Sequence, residues 1–264
     1  MSDEVVHYSI DRGVATITLD SPSNRNALSR QMMAELDTQV QRALADTSAR
    51  IIVLTGAGPV FCSGADLKEQ REANVTGAPT GPGAPTGPGA LVPTLKALWH
   101  SPKPVVGRIN GAARAGGLGL VAVCDISVAS DTATFAVSEV RIGVIPAIIS
   151  VVLLPKLGLT KITELFLTGE PFTAGEAVAM GLITASAPPE KLDETVEKYI
   201  ARLRLGAPGA IAAAKRLIRD VPGMPLDAAF AETAERSAAF FASEEAREGM
   251  TAFAEKRPPA WQVT

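Results

Sequence analysis

Two stretches of small residues, each at the end of a short apolar run, constrain this chain more than anything else in its 264 residues. Gly56 to Lys68 reads GAGPVFCSGADLK and follows the apolar run Ile51–Thr55; Asn110 to Asp125 reads NGAARAGGLGLVAVCD and closes the run Val105–Asn110. A strand that ends in Gly and Ala can turn sharply, and only small residues let one backbone come close to another. Such turns also leave N–H groups facing a ligand without side-chain obstruction. The fold must therefore send strands into tight turns and closely packed helices.

The rest of the pattern agrees with an α/β chain. Val5–Ile10 and Val14–Leu19 are β-rich and separated by Asp11-Arg12-Gly13, a three-residue hairpin signal. Leu28, Met32, Leu36, Val40 and Leu44 recur at four-residue spacing and predict a helix over 27–45, followed by strand Ile51–Thr55. Further helix is predicted at 91–99, and strand at Val105–Asn110 and Ile126–Ala129, with the Gly-rich turn between them opening a helix. Beyond residue 160 the pattern is helical almost throughout, over 160–168, 173–180, 190–204, 208–219 and 225–254, which predicts a helical layer for the C-terminal third and no second sheet domain. The run Ala78 to Gly83 (APTGPG) is repeated without change from Ala84 to Gly89. It cannot build a core, so residues 74–90 read as a mobile surface loop inserted into one domain spanning 1–264. The apolar run Ile142 to Leu154, broken by Pro146 and Ser150, is too short to span a membrane and reads as buried core or pocket wall.

Composition narrows the function classes. A balance of 25 Lys plus Arg against 28 Asp plus Glu, net −3, provides no global positive field for nucleic acid or an anionic membrane. Any anionic ligand needs a local basic patch. The acidic N-terminal segment lacks a signal-peptide pattern, and the two cysteines, Cys62 and Cys124, lack CxxC spacing; both point to a cytoplasmic protein with reduced thiols. Zinc, serine-hydrolase and P-loop motifs are missing from the sequence, the GxGxxG spacing of a dinucleotide site is not met, and neither His7 nor His100 sits in a recognisable constellation.

With the two small-residue segments stand NRNAL (Asn24 to Leu28), SEVRIG (Ser138 to Gly143), GEPFTAGEA (Gly169 to Ala177) with Gly181 and Leu182, and FAEKR (Phe253 to Arg257). In this order and spacing the chain resembles the crotonase (enoyl-CoA hydratase/isomerase) superfamily over essentially its whole length. The resemblance implies a spiral of repeated ββα units over 1–190 and a C-terminal helical region over 191–264 that joins chains into trimers, often paired as hexamers. It implies an acyl-CoA substrate, no cofactor beyond that CoA thioester, and no metal. It also puts an oxyanion hole at the backbone N–H groups of Ala65 and Gly116. The CoA portion would lie along Arg25, Ala27, Ser63, Asp66, Leu67, Lys68 and Gly117, with Phe253 and Lys256 contributing from the helical layer, across a subunit boundary if need be. Arg25, Lys68 and Lys256 fit equally well as solvated surface charges.

Hydratases of this family use two glutamates, and here the resemblance departs from the pattern. The position on the Gly-rich helix is Gly119, whereas the second is kept as Glu139 in a mostly apolar stretch that should raise its pKa. The bland alternative is a strand-end carboxylate paired with Arg141. One glutamate is compatible with moving a proton between two carbons, as in an enoyl-CoA isomerase, or with hydration in which Glu139 both activates water and handles the proton. A non-catalytic acyl-CoA-binding protein is a third reading. AGGLGL, FAVSEVRIG and PAIIS are similar to the bacterial methylglutaconyl-CoA hydratase subgroup, whose substrate carries a second carboxylate. Arg114 is the candidate to meet it, against the plain alternative of an outward-facing arginine.

Overall fold

The structure is a computed structural model that describes residues 4–76 and 87–262. Val6–Asp11 (β1) and Val14–Leu19 (β2) pair antiparallel around a turn in which Arg12 and Gly13 both have positive φ, 43° and 77°. The next helix, Arg30–Ala45 (α1), starts at Ser29, whose side chain accepts the Met32 N–H at 3.1 Å. It starts later than the predicted residue 27 because Leu28, although on the apolar spacing, is drawn into a bridge with Ala65. Met32, Leu36 and Val40 form the buried stripe of α1, as the spacing predicts.

From there the chain winds as a spiral. Ile51–Gly56 (β3) leads into Val60–Cys62 (β4) and helix Leu67–Thr76 (α2). The next turn is helix Val92–His100 (α3), Val105–Ile109 (β5), Ala112–Arg114 (β6) and helix Gly116–Val123 (α4). Ile126–Ser130 (β7) and Thr134–Ala136 (β8) follow, then helices Ala147–Leu153 (α5) and Leu159–Thr168 (α6), strand Phe172–Thr173 (β9), helix Ala174–Ala179 (α7) and Ala185–Ala187 (β10). Each turn lays its first strand in one sheet and its second in another. The larger sheet has the order β1-β2-β3-β5-β7-β10 and is parallel from β2 onward; the smaller has the order β4-β6-β8-β9. This is the α/β spiral of ββα units that the resemblance implies. β3 is buried at every position, which is why it reads as an unbroken apolar run and shows no alternation.

The C-terminal layer is helical: Leu192–Leu205 (α8), Pro208–Asp220 (α9), Leu226–Phe241 (α10) and Glu244–Glu255 (α11). Leu192, Val196 and Ile200 of α8 cover the face of the large sheet formed by Val14, Ile51, Val53, Val106 and Val128. α9 is fastened by charge. Lys215 Nζ, 7% exposed, lies 2.7 Å from Asp125 Oδ2 and donates to the carbonyls of Leu98 and Lys103 at 3.2 and 3.1 Å. Arg219 donates to Asp125 Oδ1 at 2.8 Å and stacks 4.1 Å over the Trp99 ring. Burial lowers the Lys215 pKa, and Asp125 opposes that shift.

Four sequence expectations are corrected. The helix predicted over 225–254 is two helices, because Ser243 accepts the Ala246 N–H and starts α11 afresh. Two short strands, β9 and β10, lie beyond residue 160, where the pattern reads as helical almost throughout: β9 at the start of the helix predicted over 173–180, β10 between it and the helix predicted over 190–204. Of the loop read over 74–90, residues to Thr76 belong to α2 and Pro88–Leu91 form a 3-10 turn; the repeat between them, at 77–86, lies outside the described residues. The run Ile142 to Leu154 is only partly buried. Ile149, Val152 and Leu153 face the core, while Ile145 and Val151 are 75% and 68% exposed. Among the described residues, no helix is long and apolar enough to cross a membrane.

Removing one partner of a buried ion pair strands the other, at a typical cost of about 3–5 kcal/mol. Asp125→Ala, which leaves Lys215 uncompensated and frees the Val105 N–H that Asp125 accepts at 2.8 Å, is expected to lower unfolding free energy by about 3 kcal/mol or more in urea titration.

Candidate functional site

The two small-residue segments meet where β4 and β6 pair in parallel. Their contact is backbone to backbone. A Cβ built on Gly117 would lie 2.6 Å from the Cys62 carbonyl oxygen, and one on Gly64 would lie 2.9 Å from the Arg114 oxygen and 3.0 Å from the Ala115 methyl. Gly64 also has φ +88°, so both its space and its backbone conformation call for glycine. The NRNAL segment clasps the same turn. Leu28 donates to Gly64 O at 2.7 Å and bridges Ala65, and Ser63 N donates to Arg25 O at 3.1 Å.

Ala65 and Gly116 are thereby placed on two adjoining turns, each half-buried. Among the described residues neither of their N–H groups donates a hydrogen bond. Gly116 is the first residue of α4, an eight-residue helix buried from Gly117 to Val123, so its N–H carries the positive end of the helix dipole. Half-buried, unpaired donors are costly unless something accepts from them. Two such donors on adjoining turns make a pair suited to a developing oxyanion.

Glu139 is the third candidate. It follows β8, opens a 3-10 turn, Glu139–Ile142, and among the described residues forms no ion pair. Its Oε2 is buried and, among the described residues, has no hydrogen-bond partner. Desolvation raises its pKa above the ordinary glutamate value, partly offset by its own backbone N–H. Arg141 is not its partner, since its guanidinium goes to Glu170 and, at 3.1 Å, to the Thr168 carbonyl.

Gly119 is filled from outside. A Cβ there would lie 2.6 Å from Ile149 Cγ2 and 3.3 Å from Ile149 Cβ, and Ile149 is buried on α5. An isoleucine methyl thus occupies the space that a second carboxylate on α4 would need. Between α3 and α5 lies a cavity of about 550 Å³ with mostly apolar walls, among them Leu95, Trp99, Ile148 and Val151, and with His100 at its edge.

The remaining candidates divide. Asp66 Oδ1 accepts the N–H groups of Lys68 and Glu69 at 3.0 and 3.2 Å and so caps α2. Leu67, 55% exposed, and Lys68 stand on the outer first turn of that helix, Arg25 is exposed, and Ala27 is buried. Arg114 is corrected: its guanidinium is held by Thr134, through the carbonyl oxygen and, at 2.7 Å, through Oγ1, with Ala113 O at 3.2 Å. It is tied along the β6–β8 pairing, which removes the support for a free carboxylate-binding arginine. Phe253 is 87% exposed on α11, and Lys256 caps that helix with φ 54°. Among the described residues no hydrogen bond or ion pair joins either to segment 63–68. His7 pairs with Asp20 at 3.0 Å on the outer hairpin. Cys62 and Cys124 are free and buried, which pushes both thiols up to about 12.

Asn26 escaped the sequence reading. It is fully buried at φ 53°, its Oδ1 accepts the Ser21 N–H at 2.7 Å, and its Nδ2 reaches the carbonyls of Ala57, Val60 and Phe61 at 3.0, 2.8 and 3.2 Å. It holds the β3–β4 turn against the NRNAL segment. The signal was an asparagine between Arg25 and Ala27 in a motif, but the carbonyls to which its Nδ2 donates lie 31 to 35 residues away.

Glu139 yields a pH prediction with a definite sign. A carboxyl whose folded pKa is raised favours folding below its unfolded pKa and loses that contribution as pH rises through the folded value. Glu139→Gln should therefore gain thermal stability relative to wild type as pH goes from 4 to 8, with little difference at the acid end. Gly119 yields a second. Gly119→Ala alone overpacks α4 against Ile149 at a typical cost of roughly 1–3 kcal/mol. In an Ile149→Ala background the same change should be neutral or stabilising, giving a sign change in a urea-unfolding double-mutant cycle.

The sequence profile of the Enoyl-CoA hydratase/isomerase family matches residues 9–264. An enoyl-CoA hydratase/isomerase structure from Marinobacter aquaeolei is 34% identical, covers 99% of this chain and 100% of its own, and superposes with a TM-score of 0.91. An enoyl-CoA hydratase structure from Mycobacterium smegmatis is 30% identical over 99% of this chain and 100% of its own, with a TM-score of 0.86. A carnitinyl-CoA dehydratase of Shigella flexneri is 32% identical over 265 residues, 98% of this chain and 98% of its own.

Proposed function

Because the chain belongs to the enoyl-CoA hydratase/isomerase family, we propose that it is an enoyl-CoA hydratase that adds water to an α,β-unsaturated acyl-CoA with Glu139 as its only acid-base group. The observation that carries this reading is the pair of N–H groups of Ala65 and Gly116, unbonded among the described residues, with the half-buried Glu139, whose Oε2 has no partner among those residues, as the proton carrier. Addition runs in two steps. The Glu139 carboxylate takes a proton from water as the oxygen bonds to C3, and the C2–C3 π electrons move onto the thioester oxygen to form an enolate held by the two N–H groups. The Glu139 carboxylic acid then returns the proton to C2, and the thioester carbonyl re-forms. Donors aimed at the enolate bind it more tightly than the neutral carbonyl, and one such donor is typically worth about 3–4 kcal/mol. The raised pKa suits a group that must both accept and give a proton near neutrality.

CoA would run along Arg25, Ala27, Ser63, Asp66, Leu67, Lys68 and Gly117, with the acyl chain directed to the α3–α5 cavity. The thioester is the only cofactor-derived group this chemistry needs. Residues 1–264 would act as one catalytic domain, and the buried free thiols agree with a cytoplasmic setting. Assembly into trimers or hexamers is supported by Leu226, Phe230, Phe241 and Phe253, which the C-terminal helices leave 68–87% exposed. In such an assembly Phe253 and Lys256 would serve a neighbouring chain. A specific observation favours a second reading: with Ile149 over Gly119 there is no room for a second carboxylate to hold water, which suits proton transfer between carbons as in a Δ3-Δ2 isomerase.

Ultraviolet-monitored turnover on crotonyl-CoA, 3-methylglutaconyl-CoA and a 3-enoyl-CoA separates these readings, each beside Glu139→Gln. A hydratase consumes the conjugated-enoyl absorbance, and the substitution should cut the rate at least about a hundredfold. The ranking of the first two substrates decides the methylglutaconyl subtype. Gain of absorbance from the 3-enoyl compound alone identifies an isomerase, and silence on all three despite acyl-CoA binding identifies a binding protein. Light scattering on the same sample should give three or six chains per particle.

A further inference from the structure

Ala115, immediately before the Gly116 donor, has φ 48° and ψ −120°, a backbone conformation that glycine adopts freely and alanine does not. The strain is held in place from several directions. Its N–H donates to Ala136 O at 3.0 Å, in the strand that leads to Glu139, and its own carbonyl accepts the N–H groups of Leu118 and Gly119 at 2.9 and 3.2 Å, closing the first turn of α4. Its methyl lies against Gly64, the residue before the other candidate donor; a Cβ built on Gly64 would stand 3.0 Å from it. One residue therefore touches the three pieces of chain that carry Glu139, Gly116 and Ala65. Glycine would satisfy the backbone with less strain, so the methyl is the part whose presence needs a reason.

We infer that Ala115 is a positioning residue whose methyl acts as the spacer between the two turns of the oxyanion hole and fixes the separation and aim of the Ala65 and Gly116 N–H groups. The inference rests on the oxyanion-hole reading above. Its consequence is that stability and function move in opposite directions on substitution. Without the methyl, the Gly64–Ala65 turn can settle toward α4, the donors lose their preset spacing, and the backbone strain disappears.

The test uses acetoacetyl-CoA, whose enolate absorbs in the near ultraviolet and reports on the hole whichever reaction the protein catalyses. Wild type should bind it with an enolate band. Ala115→Gly should bind butyryl-CoA within about twofold of wild type and keep or raise its melting temperature, yet show an enolate band and a kcat about tenfold lower. Ala115→Ser, which restores a Cβ, should recover most of the band. If wild type itself shows no enolate band, the oxyanion-hole reading fails and takes this inference with it. A wild-type band left intact in Ala115→Gly sinks the spacer role alone. So does a Gly variant whose band and melting temperature fall together, because Ala115 would then be merely structural.

Discussion

The parallel contact of β4 with β6, made at van der Waals limits through Gly64 and Gly117, is the constraint on which the rest of the molecule depends. A side chain at either position would push the two turns apart. Among the described residues the Ala65 and Gly116 N–H groups beside this contact have no partners, and the spiral supplies the support. β3, β5 and β7 hold the register of one sheet so that β4, β6 and β8 can be only three residues long in the other. Such short strands have too few hydrogen bonds to stand alone and are fixed by the larger sheet from which each emerges.

The site is asymmetric in its chemistry. Two of the candidate groups are backbone N–H groups, those of Ala65 and Gly116, and the third is a carboxyl, Glu139, held in a setting that favours its protonated form. On α4 the matching position is sealed by Ile149. That contact also docks α5 onto α4, so the loss of a carboxylate and the close packing of two helices are one structural fact. The apolar cavity beside it, between α3 and α5, is walled in part by the same helix.

The C-terminal layer is tied to the spiral by two different forces. α8 is held by apolar burial on the large sheet, and α9 by the Lys215 and Arg219 contacts with Asp125. Asp125 ends the second small-residue segment, so the anchor of the helical layer lies one helix away from the candidate hole. Beyond α9 the helices carry large apolar side chains outward.

The sequence by itself determined the elements whose signals are local. These are the β1–β2 hairpin with its Arg12-Gly13 turn, the stripe Met32, Leu36, Val40 on α1, the apolar run of β3, the start of α4 at Gly116, and the motif order that places the chain in its family. It also singled out Glu139 and noted the missing partner at Gly119. What only the tertiary structure decided depends on residues far apart in the chain. Strands of two or three residues such as β4, β6, β8 and β9 have no periodicity to read. The start of α1 moved because Leu28 had a better partner 37 positions on, at Ala65. Arg114 was taken up by Thr134, the carbonyl partners of Asn26 came from the β3–β4 turn and from β4 itself, and Ile149 closed over Gly119. Residue type and spacing fix local conformation, because sterics and hydrogen bonding act between neighbours; which unpaired group meets which is fixed only when the sheets bring distant turns within a few ångströms.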